Sequence, residues 1–347
     1  MFTKTLINWY SNNKRELPWR GESDPYKVWI SEIILQQTRI SQGWQYYLRF
    51  IDRFPNVQTL AQASEDEVLK YWQGLGYYSR ARNLHVGAKY IYSQCGGIFP
   101  DEYHNILKIK GVGEYTAAAI ASFCFRLPYP AIDGNALRVL SRVFDIQTPI
   151  DTTTGKKEIL TIATKLIDNQ APDIFNQAIM DFGSLQCTPT NPKCDDCCLM
   201  CICRAYALKK QHLLPAKSKT IQIRQRFFYY FCIIYQNTTY LRKRPPKDIW
   251  QGLYEFPLLE TKTQLSEKEI IESTYFNHLL NSCQWTIENI TPLSKHQLTH
   301  QLIHYQFITI KITKGKPHID TLFSAINLDK IDNYPVAKIT EEFLVRV

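Results

Sequence analysis

Ile109-Lys-Gly-Val-Gly-Glu-Tyr-Thr-Ala-Ala-Ala-Ile120 is the stretch on which the fold turns. Gly111 and Gly113 enclose one small apolar residue and lead straight into an alanine-rich run with strong helix preference. Two glycines so placed allow a tight turn whose exposed N–H groups can approach a phosphate. Alone, Gly-x-Gly reads better as an ordinary turn between helices. The next segment, Ala131-Ile-Asp-Gly-Asn-Ala-Leu-Arg-Val-Leu-Ser-Arg142, starts an apolar stripe at Leu137 and Leu140 just after Asp133. Asp133 is therefore expected as a helix N-cap, its carboxylate kept ionised by the helix-terminal N–H groups.

Working outward, residues 1 to about 204 read as helical. Ile30, Ile33 and Ile34, and later Ala61, Val68, Leu69 and Trp72, follow helix-like spacings, while Pro55, Pro100, Pro128, Pro130 and Pro172 punctuate the stretch. A basic connector, Ala205 to Thr220, follows. Beyond it Phe227–Tyr235, a turn at Gln236-Asn237-Thr238, and Thr239–Lys243 read as strand, turn, strand. Residues 304–313 alternate as another strand, and 261–281 supply a helix. The second domain is thus α+β, starting near residue 221, in keeping with a 347-residue chain long enough for two cores.

Charged residues make up 21% and hydrophobic ones 45%, an ordinary globular mixture that excludes a disordered chain. The start lacks a signal-peptide core, and the longest apolar run, 227–235, is too short to span a bilayer. A soluble cytoplasmic protein with reduced thiols is expected. The net charge of +9 fits a solvated basic surface and a polyanionic partner alike.

Six of the ten cysteines fall between 187 and 203, four of them as Cys187-x6-Cys194-x2-Cys197-x5-Cys203. Short loops of this kind bring sulfurs around one compact metal centre, and a disulfide knot is not expected in a reducing compartment. Spacing alone leaves zinc and a four-iron cluster open, with Cys198 and Cys201 as competing ligands. In Val28-Trp-Ile-Ser-Glu-Ile-Ile-Leu-Gln-Gln-Thr-Arg39, Glu32 lies amid isoleucines and points either to solvent or into partial burial. Gln36, Gln37, Thr38 and Arg39 then offer hydrogen-bonding groups suited to base edges.

Taken together these segments resemble the adenine DNA glycosylase (MutY-type) branch of the helix-hairpin-helix–Gly/Pro–Asp superfamily. Ser31 to Thr38, Leu17-Pro-Trp-Arg20, Gly74-Leu-Gly-Tyr-Tyr-Ser-Arg-Ala-Arg82 and Gln177-Ala-Ile-Met-Asp181 carry the likeness, which runs over most of residues 6–204. The resemblance implies a mainly α catalytic region at 1–204, with the hairpin at about 104–125 and a [4Fe–4S] loop at 187–203. A 205–220 linker and a Nudix-like α+β domain at 221–347 would complete the chain. It implies Cys187, Cys194, Cys197 and Cys203 as cluster ligands, Glu32 as the acid that protonates adenine, and Asp133 as the carboxylate facing a cationic sugar. Two carboxylates divide such work as they do in glycosidases.

Tyr115 stands where strand-cutting relatives carry a Schiff-base lysine, which implies a monofunctional hydrolase, with Tyr115 beside Asp133. By family position Gln37, Leu75 and Tyr77 fill the gap left by a flipped base. Arg20, Thr38, Gly111, Gly113, Asn135 and Gln177 complete the expected contacts to base and DNA. Arg39, Arg80, Arg82, Lys110 and Lys193 are further phosphate candidates. Lys243–Pro257 resembles a Nudix-like segment without the metal box of diphosphate hydrolases. The loop that reads 8-oxoguanine in that family is Leu298-Thr299-His300 here, with Leu where Phe is usual. The expected partner is duplex DNA holding adenine opposite 8-oxoguanine or guanine, met as a monomer at the nucleoid. A glycosylase for another damaged base, and a non-catalytic iron–sulfur protein that binds nucleic acid, stay open as alternatives.

Overall fold

The computed structural model describes residues 1–218 and 223–345. Two compact units emerge: Met1–Ala63 with Asn83–Lys219, and Ser64–Arg82 with Thr220–Val347. The expected boundary at 220/221 lies outside the described residues. Segment 64–82, within the N-terminal stretch by sequence, clusters with the second unit. No helix among the described residues is long and apolar enough to cross a membrane.

The helices of the first 218 residues are α1 Phe2–Asn13, α2 Pro25–Leu35, α3 Ile40–Arg53, α4 Val57–Gln62, α5 Glu65–Trp72 and α6 Ser79–Gln94. They continue as α7 Tyr103–Ile106, α8 Glu114–Phe125, α9 Gly134–Phe144, α10 Thr153–Leu166, α11 Pro172–Leu185 and α12 Arg204–Ala207. Helix α2 is set by its first residues: Asp24 accepts a hydrogen bond from Tyr26 N, and Pro25 supplies a preorganised φ. In α8 every residue from Thr116 to Ser122 is buried, and the small alanines let neighbouring backbones approach. Gly111 has φ +83, and a Cβ there would lie 2.7 Å from Asn83 Cβ, so the hairpin turn requires glycine. Helix α9 buries Ala136, Val139, Leu140 and Val143 against Leu6 of α1, Ile159 of α10 and Phe175, Ile179 and Phe182 of α11.

The stretch expected as a bare connector is packed as far as it is described. Ala205 and Leu214 are buried, Arg142 Nε donates to Leu214 O at 3.0 Å, and Ile150 N donates to Ala216 O.

The second unit has strands β1 Arg224–Ile234, β2 Thr238–Lys243, β3 Tyr254–Glu255, β4 Leu258–Thr261, β5 Cys283–Ile290, β6 Ser294–Gln297, β7 Gln301–Gly315 and β8 Ser324–Asn327. One sheet runs β4-β1-β7-β5, with β6 also paired to β7, and a second runs β3-β2-β8. Strands β1 and β7 pair in parallel from Arg224↔Gln301 to Ile234↔Lys311. The expected turn forms at Gln236 and Asn237, both at positive φ, but the strands it joins enter different sheets. The single helix expected over 261–281 is two, α13 Glu267–Ile271 and α14 Thr274–Leu280, because Ser273 caps the second by accepting from Phe276 N. A last helix, α15, spans Lys338–Leu344.

Segment 64–82 is bound into this unit by polar ties. Lys243 pairs with Asp66 at 2.6 Å, Gln73 Nε2 donates to Glu341 at 2.7 Å, and Arg82 donates to Gln251 O at 2.6 Å.

Candidate active site

Three elements of the first unit meet around a cavity of about 1380 Å³. Helix α2 brings Glu32, the first turn of α8 brings Tyr115, and the N-cap of α9 brings Asp133. Glu32 is 8% exposed, which decides between the two orientations its sequence leaves open. Tyr115 Oη donates to Glu32 Oε2 at 2.6 Å. Asp133 caps α9 by accepting from Ala136 N at 2.7 Å, and its other oxygen accepts from Asn135 Nδ2 at 2.7 Å.

The two carboxylates differ in their proton affinity. Burial pushes Glu32 up to about 7, with the Tyr115 hydrogen bond opposing and the charge of Asp133 adding to the rise. Asp133 is also raised, by burial, against the pull of its hydrogen bonds from Ala136 and Asn135 and of Arg138. The helix-terminal N–H groups therefore favour the ionised form and temper the rise that burial causes. Burial raises the Tyr115 hydroxyl well above its ordinary value.

Arg20 and Gln177 line the same cavity. Arg20 Nη1 donates to Gln177 Oε1 at 2.6 Å, Tyr10 Oη donates to the same oxygen at 2.8 Å, and Arg20 Nη2 reaches Asp181 at 3.0 Å. Asp181, 0% exposed, also takes Arg15. Sequence reasoning left out Asp181 as a site residue. The signal was present, since Asp181 stands four residues after Gln177 and so shares its helix face.

Gln37, Thr38, Gly111, Gly113 and Asn135 line the cavity too. Lys110, Lys193 and Arg39 are exposed. The remaining expected contacts belong to the second unit. There Tyr77 Oη and Thr299 Oγ1 lie 2.7 Å apart, and Tyr77 is 46% exposed at φ +47. Leu75 is buried, His300 is exposed, Arg80 lies over the Tyr77 and Trp72 rings, and Arg82 is held by Gln251.

The thiols of Cys187, Cys194, Cys197 and Cys203 line one small cavity, whereas Cys198 and Cys201 do not line it and are exposed. Arg142 Nη1 donates to Cys187 Sγ at 3.4 Å and to Thr188 O at 2.7 Å, and Arg138 Nε donates to Cys187 O at 2.8 Å. Gln211 also lines this cavity, and its Oε1 is buried without a partner. Among the described residues no three His, Cys, Asp or Glu side chains converge on a single-ion position. Four cysteines lining one cavity, with Arg142 donating to Cys187 Sγ, fit a thiolate-held metal centre as a donor set.

Comparison with known proteins places this geometry. The chain is 37% identical over 322 residues to the adenine DNA glycosylase of Buchnera aphidicola subsp. Baizongia pistaciae, covering 90% of this chain and 87% of that protein. The chain belongs to the adenine DNA glycosylase family. Membership makes it a DNA N-glycosylase of base-excision repair. The pattern of the HhH-GPD superfamily of base excision DNA repair proteins matches residues 30–167 of the glycosylase, and that of the NUDIX domain matches 229–346. The adenine DNA glycosylase of Mus musculus is 42% identical to it over 224 residues, 62% of this chain and 44% of the mouse protein. A solved thermostable thymine-DNA glycosylase superposes on the glycosylase with a TM-score of 0.56 at 28% identity, covering 60% of this chain and 95% of that one. A trapped endonuclease III–DNA intermediate, 21% identical with a TM-score of 0.53, shares the fold over 60% of this chain and 94% of its own.

Proposed function

We propose that this glycosylase hydrolyses the N-glycosidic bond of adenine mispaired with 8-oxoguanine or guanine in duplex DNA, without cutting the strand. The observation that carries the reading is the buried Glu32, held by Tyr115 with its pKa near 7, in a cavity it shares with the N-cap carboxylate Asp133. Adenine departs poorly as an anion. Glu32 gives its proton to a ring nitrogen as the C1′–N bond breaks and the bonding pair leaves with the base. Asp133 stabilises the cationic sugar, as the second carboxylate does in glycosidases. Water then adds to C1′ and passes a proton to the carboxylate that Glu32 has become. The Arg20–Gln177 pair supplies polar edges for the flipped base, and Gln37 and Tyr77 are the exposed candidates for filling the gap it leaves.

Tyr115 cannot form an imine, and its hydroxyl is engaged with Glu32. Base loss therefore proceeds without a Schiff-base adduct at Tyr115, and the strand is left uncut. Cys187, Cys194, Cys197 and Cys203 would hold a [4Fe–4S] cluster, whose contribution is to fix the shape of the 187–203 loop. In the second unit Thr299, hydrogen-bonded to Tyr77, offers a hydroxyl for reading the base opposite adenine. The enzyme acts as a monomer in this reading.

Duplexes holding A:8-oxoG, A:G, T:G and thymine glycol, incubated with enzyme and then treated with alkali, test the substrate in one gel. Strand breaks at adenine opposite 8-oxoguanine and guanine are expected. Their absence overturns the reading, and breaks at T:G or thymine glycol instead point to another damaged base. Borohydride during turnover should trap no protein–DNA adduct.

A further inference from the structure

The chain from the hairpin helix to the catalytic cap reads Leu127-Pro-Tyr-Pro-Ala-Ile-Asp133. Pro128 and Pro130 carry no N–H, so this loop has few donors with which to tie itself down. Tyr129 N turns back to Leu127 O at 2.8 Å. The next donor, the N–H of the fully buried Ala131, goes to Asn176 Oδ1 on α11 at 2.9 Å. Asn176 is itself 0% exposed. Its Nδ2 donates to Tyr129 O at 2.9 Å and to Ser122 Oγ of α8 at 2.9 Å. The amide's orientation follows from its partners, since Ala131 N–H only donates and the Tyr129 carbonyl only accepts.

One side chain therefore grips the loop on both sides of Pro130 and joins it to α8. That helix carries Tyr115, the partner of Glu32, while Asp133 follows Ala131 by two residues. Packing supports the same clamp. Tyr129 stacks on Tyr103 with ring centres 4.0 Å apart, and a Cβ on Gly183 of α11 would lie 2.6 Å from Asn135 Cβ. Helix α11 is thus pressed against the start of α9, at the height of Asp133.

We propose that Asn176 is a positioning residue for the hydrolysis: by tying the 129–131 loop to α8 it sets where Asp133 stands relative to Glu32. The inference rests on the reading of Asp133 as the carboxylate that faces the cationic sugar. Asn176 touches no reacting group. It acts on the chemical step rather than on DNA affinity, because only the carboxylate's placement against developing charge depends on it.

The test uses the full chain, single-turnover excision from an A:8-oxoG duplex, and two abasic-site analogues as probes, a cationic pyrrolidine and a neutral tetrahydrofuran. Asn176→Ala should slow excision by about 100-fold, the scale of an ångström of misplacement. Affinity for the neutral analogue should stay within about 3-fold of native, while the preference for the cationic analogue falls by about 10-fold or more. Asn176→Asp keeps an acceptor for Ala131 N but sets a carboxylate against Tyr129 O, and Ser122→Ala cuts only the tie to α8. Both should move the two readouts in the same direction, Ser122→Ala by less, and Ser122→Ala decides the matter if the Asn176 variants do not fold. A folded Asn176 variant with native excision, or one that is slow yet keeps the full cationic preference, overturns the proposal. An Asp133→Asn protein identifies the other failure: if it excises natively and keeps that preference, the reading of Asp133 is wrong. If it is inactive while the Asn176 variants are native, only the clamp is wrong.

Discussion

The Tyr115 hydroxyl holds Glu32 Oε2 at 2.6 Å inside a site where burial drives the same carboxyl toward protonation. The two effects oppose each other. A donor hydrogen bond favours the ionised form and burial the neutral one, and burial wins, leaving Glu32 at about 7. An acid so poised is half protonated near neutral pH and can still be reprotonated after each turnover.

The first prediction is a bell-shaped pH profile. The proposed reaction needs Glu32 protonated and Asp133 ionised, so the single-turnover rate should fall as pH rises through about 7. It should also fall on the acid side, at a pH above that of an ordinary aspartate, because burial raises Asp133. Tyr115→Phe removes the contact that lowers Glu32, so its alkaline limb should move upward. An alkaline limb that stays in place in Tyr115→Phe would show that the hydrogen bond does not tune the acid.

A second prediction separates catalysis from stability at the same residue. Glu32→Gln should cut the excision rate by about 10²- to 10⁴-fold. Its effect on folding carries the opposite sign. The unfolded Glu titrates near 4.5 and the folded one near 7, so below 4.5 both states are protonated and nothing is lost. Between those values ionisation favours the unfolded chain, and above 7 the folded protein carries a penalty of about 3 kcal/mol. Glu32→Gln removes it. The variant should melt higher than the native protein at pH 8 and nearly equally at pH 5, as read by calorimetry at both.

Asp181 gives the third. It is fully buried and neutralises both Arg15 and Arg20, the latter aimed at Gln177. Asp181→Asn leaves two cations around a neutral amide, which should cost about 3 kcal/mol of stability. Arg20 also loses the partner that orients it, so excision should slow under conditions where the variant remains folded. Urea unfolding and a single-turnover assay check the two effects, and an Asp181→Asn protein native in both would remove Arg20's anchor from the account.

Much of this site was legible in the chain because local chemistry produced it. Gly111 marks a turn that needs positive φ, Gly113 stands at the N-cap of the helix that follows, and Asp133 marks a cap, whatever the rest of the fold does. The depth of Glu32 was not legible, since an acid among isoleucines fits a solvent-facing or a buried position equally. Only the packing of α2 against α8 decides it. Nor was the membership of segment 64–82, whose bonds to Lys243, Gln251 and Glu341 link residues more than 160 positions apart. The 261–281 helix broke where Ser273 could cap a new one, a local signal that a smooth periodicity reading passes over.

The fourth prediction concerns the thiols. If Cys187, Cys194, Cys197 and Cys203 hold the cluster, replacing any one of them with Ser should remove the brown colour, the absorbance near 400 nm and the bound iron. Cys198→Ser and Cys201→Ser should leave all three unchanged, because these side chains are exposed and lie outside the cavity the other four line. Loss of colour in Cys198→Ser would reassign the ligand set.

The last prediction joins Tyr77 to Thr299. Their hydroxyls are 2.7 Å apart in the second unit, although the residues are 222 positions apart in sequence. A pair that reads the base opposite adenine should act jointly, so truncating one hydroxyl should cost most of what truncating both costs. Tyr77→Phe and Thr299→Ala should each lower the preference for A:8-oxoG over A:G several-fold, on the scale of about 1 kcal/mol for a lost hydrogen bond. The double variant should fall only slightly further. The measurement is the ratio of single-turnover rates on the two duplexes for the native protein and the three variants. Strictly additive losses would mean that the contact is a surface coincidence, and an unchanged ratio in both single variants would assign recognition of the oxidised base to residues other than this pair.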